Sequence, residues 1–197
     1  MVTDSEADVA TYGANDLKPG LKILLDGDPF TIVESDFVKP GKGQAFTRIR
    51  VRNLKNGRVI ERTFKSNETV EGADAVEQEM QYLYQENGLY HFMEPTTFEQ
   101  LTATEQAMAE AKPWLREQDM VTVTLFNGEI LSVSPPHFVN LRIEATEPGI
   151  RGDTATGGSK PATMETGAVV RVPLFIEEGE VIRVDTRTGT YISRVKE

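Results

Sequence analysis

The sequence contains no cysteine and only two histidines among its 197 residues. Without cysteine the chain cannot form a disulfide, a thiolate nucleophile or a cysteine-ligated zinc or iron–sulfur site. The histidines, His91 and His137, lie far apart and lack partners at the spacing of a metal-binding helix. Carboxylates are plentiful but show no pattern of acid–base catalysis. The sequence therefore predicts no metal site, no cofactor and no catalytic residue.

Long apolar runs are also missing. Uninterrupted stretches such as 23–25 span only a few residues, whereas a membrane helix needs about 20. Residues 1–14 show no basic start followed by an apolar run, so we expect no signal peptide and a cytoplasmic location. With 39% apolar and 26% charged residues, the composition is typical of a folded soluble protein without membrane contact.

The net charge of −10 argues against nucleic-acid binding by the surface as a whole. The charge is unevenly distributed, however, because residues 74–137 carry −9 and residues 1–73 are neutral. Residues 37–65 carry +8, with Glu61 as their only acid. The basic residues of this arm are Lys39, Lys42, Arg48, Arg50, Arg52, Lys55, Arg58, Arg62 and Lys65. Charge alone leaves two readings open, a phosphate-binding surface and an ordinary solvated strand face.

Alternation between residues 44 and 54 predicts a long β-strand with two different faces. Small or apolar residues alternate there with residues that include three arginines. One face comprises Ala45, Thr47, Ile49 and Val51, and the other comprises Phe46, Arg48, Arg50 and Arg52. The arginines are therefore expected to point away from the core.

Turn signals divide most of the chain into short strands. Asp26-Gly27, Asn56-Gly57, Asn87-Gly88 and Asn127-Gly128 each separate two apolar stretches, as is typical of β-hairpins. Short strands at this spacing favour small barrels. The sequence therefore predicts an all-β protein of three consecutive small β-barrel domains, covering residues 1–73, 74–137 and 138–197.

Three segments are expected to depart from this scheme. Residues 98–118 have an Ala-rich helical spacing with a break at Pro113, which predicts a helix. Residues 1–14 are small and polar and are predicted to form a frayed tail. Residues 149–160 are rich in Gly, Thr and Ser and are predicted to form a loop.

That loop resembles a nucleotide-binding phosphate loop only superficially. In the phosphate-loop pattern a lysine directly follows the second glycine and a helix then begins. Here Lys160 comes two positions late and Pro161 follows it, so the sequence predicts no nucleotide site. The glycines and hydroxyls could still approach a nucleic-acid backbone closely.

Lys42 is the most informative single residue. It lies between Gly41 and Gly43 and after Pro40, in the predicted turn that begins the basic arm. The flanking glycines favour a tight turn and leave the lysine without neighbouring side chains. A turn lysine often serves solubility alone. Its position on the basic arm indicates instead a cation that projects toward a polyanion.

Two motifs in order along the chain carry a family resemblance. Residues 39–46, Lys-Pro-Gly-Lys-Gly-Gln-Ala-Phe, resemble the tip loop of the bacterial elongation factor P family. The C-terminal pattern of the same family is matched by Lys160-Pro161-Ala162, Gly167, Val170, Val172-Pro173, Ile176 and Gly179. Further matches are Asn53-Leu54, Thr63-Phe64-Lys65 and Gly72-Ala73-Asp74. The resemblance runs from about residue 15 to residue 196.

The resemblance implies an SH3-like, or KOW-like, barrel followed by two OB-like barrels in an L shape similar to a tRNA. It implies a monomeric, non-catalytic factor that binds the ribosome, both rRNA and ribosomal proteins, between the peptidyl and exit sites. Such a factor stimulates peptide-bond formation where ribosomes stall on consecutive prolines. It positions the acceptor end of the peptidyl-tRNA, and the tip residue that matches Lys42 reaches toward the peptidyl-transferase centre.

The resemblance also implies roles for particular residues. Lys42 is the expected modification site, where a lysyl-tRNA-synthetase-like ligase would add a β-lysyl group. Residues 152–154 are expected near the exit-site codon of the mRNA, and Tyr191 and Arg194 are expected to face tRNA. The full set of predicted RNA-binding residues is Lys39, Pro40, Gly41, Lys42, Gly43, Gln44, Arg48, Arg50, Arg52, Gly152, Asp153, Thr154, Tyr191 and Arg194.

Two other function classes remain open from the residues alone. A general single-stranded nucleic-acid binder would also use small barrels, but it usually presents a row of exposed aromatic residues. On the arginine face of the long strand Phe46 is the only aromatic, and the middle third is acidic. An enzyme finds no support beyond the presence of carboxylates.

Overall fold

The computed structural model describes residues 10–149 and 158–196, and almost all regular structure within them is β-strand. The first six strands are β1 (Thr11–Gly13), β2 (Lys22–Leu25), β3 (Asp28–Val38), β4 (Phe46–Asn53), β5 (Val59–Lys65) and β6 (Thr69–Glu71). Strands β2-β3-β4-β5 form an antiparallel sheet in that order, and β1 pairs with β6.

The inward face of this first barrel follows the predicted alternation. In β4 the even-numbered arginines are exposed, whereas Thr47, Ile49 and Val51 are buried. The buried core comprises Leu17, Ile23, Phe30, Ile32, Ile49, Val51 and Val70. Period-2 alternation therefore fixes which side of β4 packs into the barrel.

The middle sheet contains five strands. They are β7 (Ala75–Glu86), β8 (Leu89–Met93), β9 (Gln100–Ala103), β10 (Met120–Phe126) and β11 (Glu129–Ser134), in the order β11-β10-β7-β8-β9. Asn87-Gly88 has φ values of 51° and 79°, and Asn127-Gly128 has 52° and 77°. Positive φ at both central residues is the type I′ geometry that Asn-Gly hairpins favour.

The C-terminal barrel is formed by β12 (Phe138–Thr146), β13 (Ser159–Met164), β14 (Val169–Pro173), β15 (Val181–Asp185) and β16 (Thr190–Arg194). Their order is β14-β13-β12-β15-β16, and the two edge strands, β14 and β16, lie close to each other. The core comprises Leu141, Ile143, Ala162, Met164, Ala168, Val170, Val172, Ile176, Ile182 and Val184.

By its internal contacts the chain divides into two compact units. One comprises Met1–Gln78 with Val123–Ser132, and the other comprises Glu79–Thr122 with Val133–Glu197. This division passes through the strands of the middle sheet. The domain borders that the sequence predicts, after residues 73 and 137, stay a prediction.

The helix predicted over residues 98–118 is wrong for most of its length. Phe98 has a φ of 60°, which no α-helix contains, and β9 follows it. The one α-helix in the described chain, α1 (Glu105–Met108), has four residues and is capped by Thr104, whose Oγ1 accepts from the Ala107 amide. Pro113 has no N–H with which to extend a helix, so the chain continues in turns.

Two other segments are more ordered than predicted. In the predicted tail of residues 1–14, residues 1–9 lie outside the described residues, while β1 pairs with β6 and Ala14 is buried. In the predicted loop of residues 149–160, residues 150–157 lie outside the described residues, and Ser159 begins β13. Lys160 in that strand is buried, and its Nζ donates to the carbonyl of Glu147 at 2.7 Å. The ammonium group of Lys160 therefore forms a hydrogen bond within the protein.

Asp185 organises the turn between β15 and β16. Its Oδ1 accepts from the backbone N–H and the Nε of Arg187, both at 3.0 Å, and its Oδ2 accepts from Nη2 at 2.7 Å. Hydrogen bonds from the Arg187 side chain hold the pKa of Asp185 below its usual value. They favour the ionised carboxylate, so they stabilise the fold only while that group is charged.

Asp185→Asn is expected to lower the free energy of unfolding at pH 7, because the amide cannot form the ion pair with Arg187. A lowered folded-state pKa gives stability that is present above the unfolded value, about 3.9, and that is lost as the pH falls through the folded-state pKa. The difference between the two proteins should therefore vanish on acidification. Urea unfolding at pH 7, 5 and 3 measures it, with the exposed Glu178→Gln as control. A difference unchanged at pH 3 would contradict the assignment.

Candidate functional site

The loop between β3 and β4, residues 39–45, forms the tip of the first barrel's longest hairpin. Lys42 lies at its centre, is exposed, and makes no hydrogen bond or ion pair with any part of the chain that the structure describes. Gly43 has a φ of 114°, which a residue with a side chain rarely adopts. Gly41 has an ordinary φ and open space where a Cβ would stand. Gly43 therefore provides the left-handed backbone of the turn, and Gly41 leaves open space beside Lys42.

The base of the tip loop is tied to the turn between β5 and β6. Gln44 Nε2 donates to Asn67 Oδ1 at 3.2 Å. The carbonyl of Ala45 accepts from the backbone N–H of Ser66 at 3.2 Å and from its Oγ at 2.7 Å. These bonds hold the end of the loop where β4 begins, so the exposed amine projects from a fixed base.

Two further lysines lie beside the loop. Lys39 begins it, and Lys65 stands opposite Phe46 at the end of β5. Both are exposed and neither forms an ion pair within residues 10–149 and 158–196. The backbone N–H of Lys65 donates to the carboxylate of Glu68 at 2.6 Å. We call Lys39, Lys42 and Lys65 the tip lysines.

The face of β4 that carries the arginines is not a surface of uniform positive charge. In the register of the sheet Arg48 stands opposite Asp36, and Arg50 stands between Glu34 and Glu61. Arg50 Nη1 lies 2.8 Å from Glu34 Oε1, and Arg48 Nε lies 3.5 Å from Glu61 Oε1. The count of +8 over residues 37–65 therefore overstates the positive charge of this face, because Glu34 and Asp36 from the preceding strand also lie beside it. RNA contact by Arg48 and Arg50 stays a prediction.

The other cations of the basic arm also divide into residues with a carboxylate partner and residues without one. Lys55 pairs with Asp28 at 2.6 Å, and Arg62 pairs with Asp26 at 3.4 Å. Arg52 stands between two uncharged residues in the register and forms no ion pair among the described residues. Arg58 is also exposed and forms no ion pair among the described residues. The unpaired positive charges of the arm are therefore the three tip lysines, Arg52 and Arg58, and three of these five lie at the tip.

Thr47, directly below the tip, has a buried hydroxyl without a hydrogen-bond partner among the described residues. Thr47→Val replaces it with a methyl group of similar shape and should raise the free energy of unfolding by about 1 kcal/mol. Urea unfolding measures the change, and the exposed Thr63→Val on β5 should show little of it. A less stable Thr47→Val protein would show that the hydroxyl has a partner.

Tyr191 and Arg194, the other predicted tRNA contacts that the structure describes, both lie on β16 of the C-terminal barrel. Tyr191 packs partly buried against the core. Arg194 pairs with Glu180 at 3.1 Å, and its guanidinium lies 5.4 Å from the ring centre of Phe175. Hydrogen bonds from the backbone N–H of Glu177 and from Arg194 lower the pKa of Glu180.

Other predicted residues fall outside this geometry. Gly152, Asp153 and Thr154 lie outside the described residues. Within residues 10–149 and 158–196, no helix has the length and apolarity to cross a bilayer. Over the same ranges, no three acidic or histidine side chains are grouped as metal ligands.

Lys65 is the one tip cation missing from the predicted RNA-binding set. The turn signal in the sequence did not identify it. Counting outward from Asn56-Gly57 as a two-residue turn pairs Phe46 with Asn67, whereas the observed register is centred between Lys55 and Asn56 and pairs Phe46 with Lys65.

Comparison with known proteins gives three family matches in order along the chain. Residues 13–70 match the elongation factor P KOW-like domain, residues 75–133 match the elongation factor P OB domain, and residues 139–194 match the elongation factor P C-terminal domain. The matches confirm the predicted all-β fold, in which a KOW-like barrel precedes OB-like barrels.

Two solved structures share this fold. One is eukaryotic translation initiation factor 5A from Methanococcus jannaschii, at 21% identity and a TM-score of 0.51, covering 64% of this chain and 95% of that one. The other is a translation initiation factor eIF-5A family protein from Naegleria fowleri, at 17% identity and a TM-score of 0.50, covering 64% and 98%. The three ordered domain matches show that the chain belongs to the elongation factor P family, whose members are ribosome-associated translation elongation factors and not enzymes.

Proposed function

We propose that this protein binds the ribosome in the cytoplasm, between the peptidyl and exit sites, and stimulates peptide-bond formation at consecutive prolines. The observation that carries the proposal is Lys42, an exposed and unpaired amine at the end of a hairpin whose base is tied down. The amine forms no hydrogen bond or ion pair within the described chain, and we infer that its role concerns something outside the protein.

The chemistry available at the tip is that of a positioned cation. An ammonium group donates hydrogen bonds to phosphate and hydroxyl oxygens. No proton transfer is assigned to Lys42. Misplacing a reacting group by about 1 Å can slow a reaction about 100-fold, so holding the acceptor end of a peptidyl-tRNA in its reactive position is enough to raise the rate. The ribosome performs the bond formation itself.

Modification would extend this reach. We propose that a lysyl-tRNA-synthetase-like ligase attaches a β-lysyl group to the exposed Nζ of Lys42. The ligase would first activate the carboxyl of β-lysine with ATP as an adenylate; the amide bond to Nζ then forms as the bond to AMP breaks, and AMP and a proton leave. The product would carry its amine further from the barrel. An intact mass of the native protein, followed by peptide mapping over residues 39–46, tests this step separately from ribosome binding.

The proposed RNA contacts divide between the barrels. In the first barrel they are the tip loop of residues 39–44, Lys65 and Arg52. Arg48 and Arg50 would bind RNA only after exchanging their carboxylate partners for phosphates. In the C-terminal barrel Tyr191 and Arg194 are proposed to face tRNA. Residues 152–154 are proposed to approach the exit-site codon of the mRNA.

The proposal is tested in a purified translation system with cognate ribosomes. One template encodes three consecutive prolines, and a matched template encodes alanines at the same positions. The protein is expected to raise the yield of the proline peptide and to leave the alanine peptide unchanged. Equal stimulation of both templates, or tight binding to free RNA without ribosomes, would favour a general nucleic-acid binder instead.

A further inference from the structure

Phe98 combines exposure and backbone strain in a way that no other large hydrophobic side chain of the described residues does. It is 68% exposed, and its φ is 60°. The other non-glycine residues with positive φ in the described ranges are Asp26, Asn87, Gln118 and Asn127, which are all polar. A left-handed backbone is unusual for a bulky aromatic residue and costs free energy. An exposed ring recovers none of that cost by packing within the protein.

A network of hydrogen bonds holds Phe98 in this conformation. The Phe98 N–H donates to the carbonyl of Glu94 at 2.9 Å, and the Glu94 N–H donates to the carbonyl of Glu99 at 2.9 Å. The Glu94 carboxylate accepts from the amides of Thr96, at 2.9 Å, and Thr97. These bonds hold the pKa of Glu94 below its usual value, so the carboxylate is charged. The turn is therefore a rigid frame that presents the ring to solvent.

The charge of the segment that contains Phe98 restricts what can cover the ring. Residues 79–122, which lie in one compact unit with Phe98, contain eight acidic and two basic residues, and both basic residues already engage carboxylates. Lys112 contacts Glu105 at 2.5 Å, and Arg116 contacts Asp119 at 3.4 Å. RNA phosphates would be repelled from such a surface, whereas a positively charged protein would be attracted to it.

We propose that Phe98 is the apolar anchor of a protein-binding surface in the middle barrel, and that its partner is a basic protein of the ribosome with an apolar pocket for the ring. The proposal rests on the proposed function, because the middle barrel meets basic ribosomal proteins, as well as RNA, only if the protein binds the ribosome. Aromatic side chains that enter a pocket at the centre of an interface carry a large share of binding energy. Glu94 and Glu99, which lie close to Phe98 in the chain, would meet the partner's lysines and arginines.

Two substitutions separate a binding role from a structural one. Phe98→Ala should weaken the affinity for purified cognate ribosomes by about tenfold, the loss typical of a binding hot spot. Phe98→Gly should weaken it equally while leaving the Tm unchanged or raising it by about 2–4 °C, because glycine adopts positive φ without strain. Leu89→Ala, an exposed apolar control on β8, should bind like the wild type. A large fall in Tm for Phe98→Gly would assign the ring to the fold and overturn the proposal.

Rates distinguish this surface from the tip. Phe98→Ala should raise the protein concentration needed for half-maximal stimulation of proline peptides by about tenfold, whereas loss of Lys42 should reduce the maximal rate without a comparable loss of affinity. A wild-type protein that binds ribosomes but does not stimulate would contradict the proposed function and leave the Phe98 affinity test valid.

The identity of the partner class has its own test. A photo-crosslinking phenylalanine analogue at position 98 should form its main ribosomal product with a protein. A product with RNA alone, or no product on ribosomes that the variant occupies, would overturn the proposal.

Discussion

Lys42→Ala is expected to abolish the stimulation of peptide bonds between consecutive prolines and to leave the fold unchanged. The amine is exposed and unpaired among the described residues, so its removal should alter the free energy of unfolding by no more than about 0.5 kcal/mol. If the amine positions the acceptor end, its loss leaves the peptidyl-tRNA in many orientations, and most of these react slowly. Single-turnover rates on a proline template, at saturating protein, should then equal those without protein.

The matched control for this variant is Lys18→Ala. Lys18 is also exposed and without an ion pair in the described chain, and it lies in the first barrel outside the tip loop. It should stimulate as the wild type does. A Lys42→Ala protein with the wild-type rate would remove the tip from the mechanism, and an equal loss in Lys18→Ala would reduce the effect to general charge.

The double variant Lys39→Gln/Lys65→Gln is expected to weaken ribosome binding through lost phosphate contacts. Each such contact contributes about 1 to the slope of log affinity against log salt, so the slope should fall by about 2. At 0.15 M salt the dissociation constant should rise about tenfold, which corresponds to about 1.4 kcal/mol. Titrations of labelled protein with ribosomes at several salt concentrations give both quantities.

The arginines of β4 supply the contrasting pair. Arg48 and Arg50 already contact Glu61 and Glu34, and exchanging those partners for phosphates gains little. Arg48→Gln/Arg50→Gln should therefore change the salt slope by less than Lys39→Gln/Lys65→Gln does. A larger change for the arginine pair would return the main RNA contact to the arginine face.

Much of the fold could be predicted because its turns have specific chemistry. Asp26-Gly27, with φ values of 53° and 82°, joins β2 and β3, and the Asn-Gly pairs after β7 and β10 behave alike. Glycine and asparagine tolerate the left-handed region that a two-residue hairpin requires. Alternation then assigns the faces of each strand, as in β4. Local rules and tertiary structure agree at these places.

The predicted helix failed where tertiary packing outweighed propensity. Alanines in 98–118 favour a helix locally, but Ala103 is buried in β9 and Ala107 in the single turn of α1. Small side chains there allow close packing. In the sequence this pattern looks the same as the spacing of a helix, and only the partner strand distinguishes the two. The left-handed backbone of Phe98 likewise has no signature in the sequence.

The neutralised arginine face was within reach of the sequence. A hairpin centred on Lys42 pairs residues at equal distance from it, so Arg50 must face Glu34 and Arg48 must face Asp36. Counting charge along one strand missed these acids because they precede the turn. The burial of Lys160 was not within reach, since its partner is a backbone carbonyl.

The amine at position 42 is proposed to contact the acceptor end of a peptidyl-tRNA. This contact can be tested with a photo-reactive lysine analogue at that position, on ribosomes stalled at a proline pair with 3′-labelled tRNA. We expect a crosslink to the terminal nucleotides of that tRNA, lost when the tRNA is absent. A crosslink confined to another part of the ribosome, on complexes that the variant occupies, would remove the acceptor end as the target of Lys42.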